Sequence, residues 1–255
     1  MPPAPTRESP LEERAPAVLR TLARAHEGAR IALDFTTPLE CVVATILSAQ
    51  STDAKINEVT KHLFVKYRTP EDYLRVPDEE LQKDIMSTGF FNQKTRSLKG
   101  MAAKLVEDFD GRVPDTIAEL ITLPGVARKT ANIVQANCYP EAAKRDPDAG
   151  IAVDTHVGRV AVRLGWTLHN SKDAAKIERD LMEVVAKERW GEVTDLFIAH
   201  GRTICDAKRP LCENCPIEPL CPSSQEAGHP DLYRLPPTAR PKAPAKKKKS
   251  ARSAR

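Results

Sequence analysis

The chain has 255 residues, 41% hydrophobic and 5% aromatic, which suits one large or two small globular domains of helical type. No apolar run approaches the ~18 residues of a membrane helix, and Met1–Pro10 lacks the apolar core of a signal peptide, so a cytoplasmic, nucleoid-associated placement is expected. The formal charge is +4, but nine cations and no acid lie between Arg234 and Arg255, which leaves −5 on residues 1–233. Net charge therefore does not mark the body as a nucleic-acid binder, and any such face has to be a local patch.

Residues 1–10 are proline-rich and expected to be disordered. Leu11 to about Glu27 has helical spacing, with Leu19, Leu22 and Ala23 on one face. Thr37-Pro-Leu-Glu40 is a helix start, with an N-cap, a proline at the first helical position and a carboxylate at the third. The following run Cys41–Leu47 is rich in β-branched residues, yet the explicit cap predicts a buried helix rather than a strand. Helical spacing recurs over 53–66, 70–74, 78–86 and 92–109.

Thr116 and Glu119 stand at capping-box spacing before Leu120, Pro124-Gly125 breaks that helix, and a second helix is predicted over 127–136. Residues 138–150 read as a loop. Further helices are predicted over 154–164, with Asp154 as N-cap, 174–188 and 192–202. No strand alternation of convincing length occurs, and the fold class is all-α with short loops. The chain after Cys221 is proline-rich and then basic, an expected disordered tail.

The stretch Leu123-Pro-Gly-Val-Ala-Arg-Lys-Thr-Ala131 has the form of a backbone phosphate clamp. N–H groups at the start of its second helix point outward, and the helix dipole favours an anion there. Lys129 lies in that first turn. The dipole and partial burial would both favour a neutral, nucleophilic amine, although most lysines in such positions are plain surface residues. Asp154, in Val153-Asp-Thr-His156, follows downstream; an amine and a carboxylate beside a phosphate clamp point to covalent chemistry on a nucleic-acid sugar. The block Cys205-x6-Cys212-x2-Cys215-x5-Cys221 brings four thiols into 17 residues. In a cytosolic chain such clustering favours metal over disulfide, and its spacing alone admits a zinc knot or a [4Fe–4S] cluster.

These three signals, in this order, together with Leu47-Ser-Ala-Gln-Ser-Thr-Asp53 and Gly89-Phe-Phe-Asn92, resemble the endonuclease III family of DNA glycosylases within the helix-hairpin-helix superfamily. The resemblance spans roughly residues 15–225. It implies two α-helical domains flanking a DNA-binding cleft: a six-helix domain over 36–147, and a cluster domain from 11–35 and 148–225. The expected tail is 226–255.

It further implies a bifunctional glycosylase and abasic-site lyase that removes oxidised pyrimidines from damaged double-stranded DNA and acts as a monomer. Lys129 is the implied nucleophile and Asp154 its carboxylate partner. Cys205, Cys212, Cys215 and Cys221 are the implied ligands of a [4Fe–4S] cluster, which reverses the balance with zinc. Implied DNA contacts are Gln50, filling the space of an extruded nucleotide; Phe90 or Phe91 as a wedge, with Phe90 the choice and ordinary core the alternative for the pair; the hairpin residues Leu123, Gly125, Ala127 and Thr130; and His156. Lysine at 129 favours the combined activity over simple base excision.

Two departures stand out. Ala127 replaces the usual hairpin glycine and is expected to be near-helical, and the 141–150 loop is longer than usual. A glycosylase for another lesion and a non-catalytic DNA-binding module with a structural metal are the alternatives; a pure binder needs neither Lys129 nor Asp154.

Overall fold

The computed structural model describes residues 4–226. Twelve α-helices follow in order: α1 (Leu11–Ala25), α2 (Pro38–Ser48), α3 (Asp53–Lys66), α4 (Pro70–Arg75), α5 (Asp78–Ile85), α6 (Phe91–Asp108), α7 (Ile117–Leu120), α8 (Arg128–Cys138), α9 (Pro140–Arg145), α10 (Thr155–Arg163), α11 (Ala174–Val184) and α12 (Trp190–Thr203). The described residues contain no strand, and no helix among them is long and apolar enough to cross a membrane.

Local chemistry explains most of the helix starts. Thr37 and Glu40 close a reciprocal capping box, the Glu40 N–H donating to Thr37 Oγ1 and the Thr37 N–H to Glu40 Oε2, both at 3.2 Å. That cap commits Cys41–Leu47 to a helix, and all seven of those residues are buried. At Thr116 only half of the expected box forms. The hydroxyl accepts the Glu119 N–H, but the Glu119 carboxylate takes the Thr116 hydroxyl proton instead of a backbone N–H.

Two other expectations are corrected. Residues 140–145 form α9 rather than loop: Pro140 opens the helix, Glu141 lies in its first turn, and Lys144 and Arg145 close it. Residues 4–10 are not loose. Arg7 pairs with Glu218 at 2.9 Å, and Arg14 donates to the Ser9 carbonyl. The expected basic tail, apart from Glu226, lies outside the described residues.

Two hydrophobic cores form. The first joins α2 to α8 around Leu47, Ile56, Tyr73, Leu98 and Met101. The second joins α1 to α10, α11 and α12 around Leu22, Val157, Leu181 and Phe197, with Cys205, Cys215 and Cys221 packed against it. The chain leaves the second core near Ala29, builds the first from Ile31 onward, and returns at Ile151. Two helical domains result, and the surfaces where α8 and α2 face α12 form a cleft between them.

Candidate functional site

The hairpin between α7 and α8 is held from within. Leu123 is buried, its carbonyl accepts the Val126 N–H at 3.0 Å, and its side chain is not brought to the surface as a DNA contact. Gly125 has φ +83°, and a Cβ there would stand 2.8 Å from Ser97 Cβ on α6, so glycine is required on two grounds. Ala127 has φ −91° and ψ 170°. It is extended, not near-helical as expected, and its backbone has no left-handed strain for a glycine to relieve. No side chain caps α8, so the N–H groups of its first turn remain oriented for an anion. Thr130 lies in that turn, half-buried.

Lys129 is exposed at this helix start, which removes the partial burial expected for it. It nevertheless lines the cleft cavity together with Asp154. Asp154 caps α10 as predicted, its Oδ1 accepting the N–H groups of His156 and Val157 at 2.8 Å each. That leaves Oδ2 outside the cap. The helix carrying Lys129 is tied across the cleft by its neighbour: Arg128 Nε donates to both Glu178 oxygens at 3.1 and 3.0 Å, and Asn132 Nδ2 donates to Glu178 Oε1 at 2.8 Å. A Cβ at Gly150 would fall 1.9 Å from Glu178 Oε1, so the segment entering the second core needs glycine beside this carboxylate. At the mouth, Arg202 of α12 pairs with Asp53 of α3 at 2.6 Å.

The two residues expected to enter the base stack share an unusual backbone. Gln50 has φ 54° and Phe90 has φ 49°, and both project from loops. Left-handed non-glycine residues are costly and collect at functional sites. Phe90 is 59% exposed, whereas Phe91 packs against the first core, which separates the wedge candidate from the core residue. Lys94 joins the two loops. Its buried Nζ donates to the Leu47 carbonyl at 2.7 Å and to the Thr88 carbonyl at 2.8 Å, and burial lowers its pKa. His156 turns inward, with Nδ1 at 3.1 Å from Arg159 Nη2.

A family model described as an HhH-GPD superfamily base excision DNA repair protein matches residues 43–187. Endonuclease III of Synechocystis is 44% identical over 214 residues, which cover 84% of this chain and 94% of that protein. The Bacillus subtilis endonuclease III is 45% identical over 195 residues, 76% and 85% of the two chains. The chain belongs to the endonuclease III family. Two solved endonuclease III structures overlay on it at 39% identity. One is a non-covalent DNA complex, with TM-score 0.76, covering 85% of this chain and 98% of the other. The other is a trapped covalent DNA intermediate, with TM-score 0.77, covering 86% and 99%.

Within this endonuclease III fold the four clustered cysteines line one pocket and form no disulfide. Burial pushes the Cys215 and Cys221 thiols up to about 12, so they need a positive centre to ionise. The surroundings supply cations. Arg163 donates to Cys205 Sγ at 3.3 Å and to the Asp206 carbonyl at 2.6 Å. Arg159 donates to the Cys205 carbonyl at 2.9 Å, and Arg14 to the Leu164 and Leu220 carbonyls at 3.0 Å. Four soft donors inside a cationic cradle fit a group that is anionic once ligated by thiolates. Among the described residues no set of three His, Cys, Asp or Glu is drawn together as a single ion requires.

Several functional neighbours escaped sequence reasoning. Asn132, Glu178, Asp195 and Arg202 come together only because α8, α11 and α12 meet at the cleft. Their one signal in the sequence is a carboxylate, Asp195, just before the apolar run Leu196–Ala199 of the predicted 192–202 helix.

Proposed function

We propose that this chain is a bifunctional DNA glycosylase and abasic-site lyase that removes oxidised pyrimidines from duplex DNA, with Lys129 as nucleophile and Asp154 as its carboxylate partner. The observation that carries the assignment is the shared cavity of Lys129 and Asp154 at the uncapped start of α8. Relatives solved on DNA, one of them as a covalent intermediate, support it.

The α8 N-terminus takes a backbone phosphate and sets the sugar against Lys129. The amine bonds to C1′ while the C1′–N bond breaks, its electron pair leaving with the base, which takes up a proton. Asp154 stabilises the positive charge that develops on the sugar and accepts the proton the amine sheds. The sugar opens to a Schiff base. Loss of the C2′ proton then expels the 3′ phosphate, breaking the strand by β-elimination. Gln50 and Phe90, held by Lys94, occupy the stack while the nucleotide is outside it.

Cys205, Cys212, Cys215 and Cys221 would hold a [4Fe–4S] cluster. Its chemistry here is structural, tying the segment after α12 to the second core. The domain bounds that go with this assignment are 36–147 for the hairpin domain, and 11–35 with 148–225 for the cluster domain.

Borohydride reduction during reaction with a duplex containing one oxidised pyrimidine tests the assignment. A stable protein–DNA adduct is expected from the wild type and none from Lys129→Gln. Preferential trapping on oxidised guanine or a thymine mismatch would replace the lesion class, and absence of any adduct would remove the lyase.

A further inference from the structure

Behind Lys129 the cavity wall carries two acceptor side chains, Asn132 and Asp195. Asn132 is 2% exposed, and its Nδ2 is spent on Glu178, but its buried Oδ1 accepts no hydrogen bond. Asp195 lines the same cavity from α12. It is half-buried, and among the described residues no hydrogen bond or ion pair reaches its carboxylate. On the two helices, Lys129, Asn132 and Ala136 of α8 face Gly191, Asp195 and Ile198 of α12 across this space. The Asp195 carboxylate, open to the cavity beside a nucleophile, makes a site ready for N–H donors.

Saturated and ring-fragmented pyrimidines supply such donors. The ring N3–H lies between two carbonyls, and a fragmented base exposes further amide N–H groups. We propose that Asp195, on the cavity wall opposite Asn132, accepts an N–H group of the extruded base and is the residue that sets which bases this pocket retains. The proposal rests on the glycosylase and lyase activity inferred above. Burial raises the Asp195 pKa to about 6, so the acceptor form prevails at neutral pH and is lost in mild acid. The charged groups sharing the cavity are Lys129, Arg30, Asp154 and the Asp53–Arg202 pair, with Glu178 behind Asn132.

The test compares two substrates of the full chain under single turnover: a duplex with one oxidised pyrimidine, and the same duplex with a preformed abasic site. The abasic substrate has no base for Asp195 to hold but uses Lys129 and Asp154 alike. Asp195→Asn should lower base release on the order of tenfold to a hundredfold, while abasic cleavage stays within about twofold. In the wild type, the ratio of base release to abasic cleavage should fall below pH about 6 and be flat in Asp195→Asn. The ratio cancels any pH dependence that the two reactions share. Equal loss on both substrates would make Asp195 a structural or electrostatic residue and overturn the proposal. Wild-type rates on both would overturn it too, leaving the activity itself intact. A wild type inert on both substrates would instead overturn the assigned activity.

Discussion

The cysteine corner and the cleft are built from similar residues and treat them in opposite ways. Around the cysteines, the buried cations are bound. Arg14, Arg159 and Arg163 are 6%, 5% and 3% exposed, and each donates to backbone carbonyls. In the cleft, Asn132 Oδ1 and the Asp195 carboxylate are left without partners, and Lys129 stands at a helix start that no side chain caps. The cysteine corner turns these three cations inward onto carbonyls, although Arg7 Nη1 at its edge and Trp166 Nε1 in the second core lack partners among the described residues. A region that has to take up a substrate keeps donors and acceptors in reserve and is less stable for it.

The largest break in this comparison is at the nucleophile. Lys129→Gln should remove strand cleavage at abasic sites entirely while leaving the melting temperature and affinity for undamaged duplex near wild type, because Lys129 is exposed and contributes nothing to either core. Denaturing gels and a melting curve read the two halves together.

In the corner the sign reverses. Arg163→Met should leave the carbonyls of Asp206 and Ala207 and the Cys205 sulfur without their donor, at about 3–5 kcal/mol of stability. Iron per chain and thermal melting should fall before the cleavage rate of the surviving protein does.

Between the two regions lies the pin on α8. Glu178→Gln weakens the Arg128 bridge across the cleft and should cost about 2 kcal/mol. If Glu178 aims the helix, kcat should fall while KM for the duplex holds. Loss of stability without loss of kcat would make it a tie between domains and nothing more.

How much of this was legible depended on distance along the chain. The caps at Thr37 and Asp154 were readable because donor and acceptor lie two or three residues apart. The hairpin and the four cysteines were readable as spacing. The wedge was readable only as a pair, since exposure and the left-handed backbone are what separate Phe90 from Phe91. The short α9 was missed although Pro140 and Lys144 sit at favourable ends, because a turn and a half of helix has no apolar period. The bridge from Arg128 to Glu178, 50 residues apart, and the facing of Asn132 with Asp195 had no local signal at all. They arise where two separately folded cores meet.

The smallest expected effect sharpens the comparison furthest. The pKa of Asp195 is raised by burial, so its ionised form is disfavoured by folding. The associated stability is present below the ordinary aspartate range and is lost as pH rises through about 6. Asp195→Asn should therefore melt higher than wild type at pH 7.5, by on the order of 1 kcal/mol, and lose that advantage near pH 4. A gain in stability joined to a loss in base release is the mark of an acceptor held for substrate.

The central claim is that Lys129 forms the covalent bond to the sugar. Borohydride-trapped adduct, digested with protease and nuclease and mapped by mass spectrometry, tests it most directly. The account predicts that the residual sugar mass is carried by Lys129 alone in the wild type, and that Lys129→Gln yields no modified peptide. A sugar mass on another amine in the wild type, at comparable yield, would contradict it.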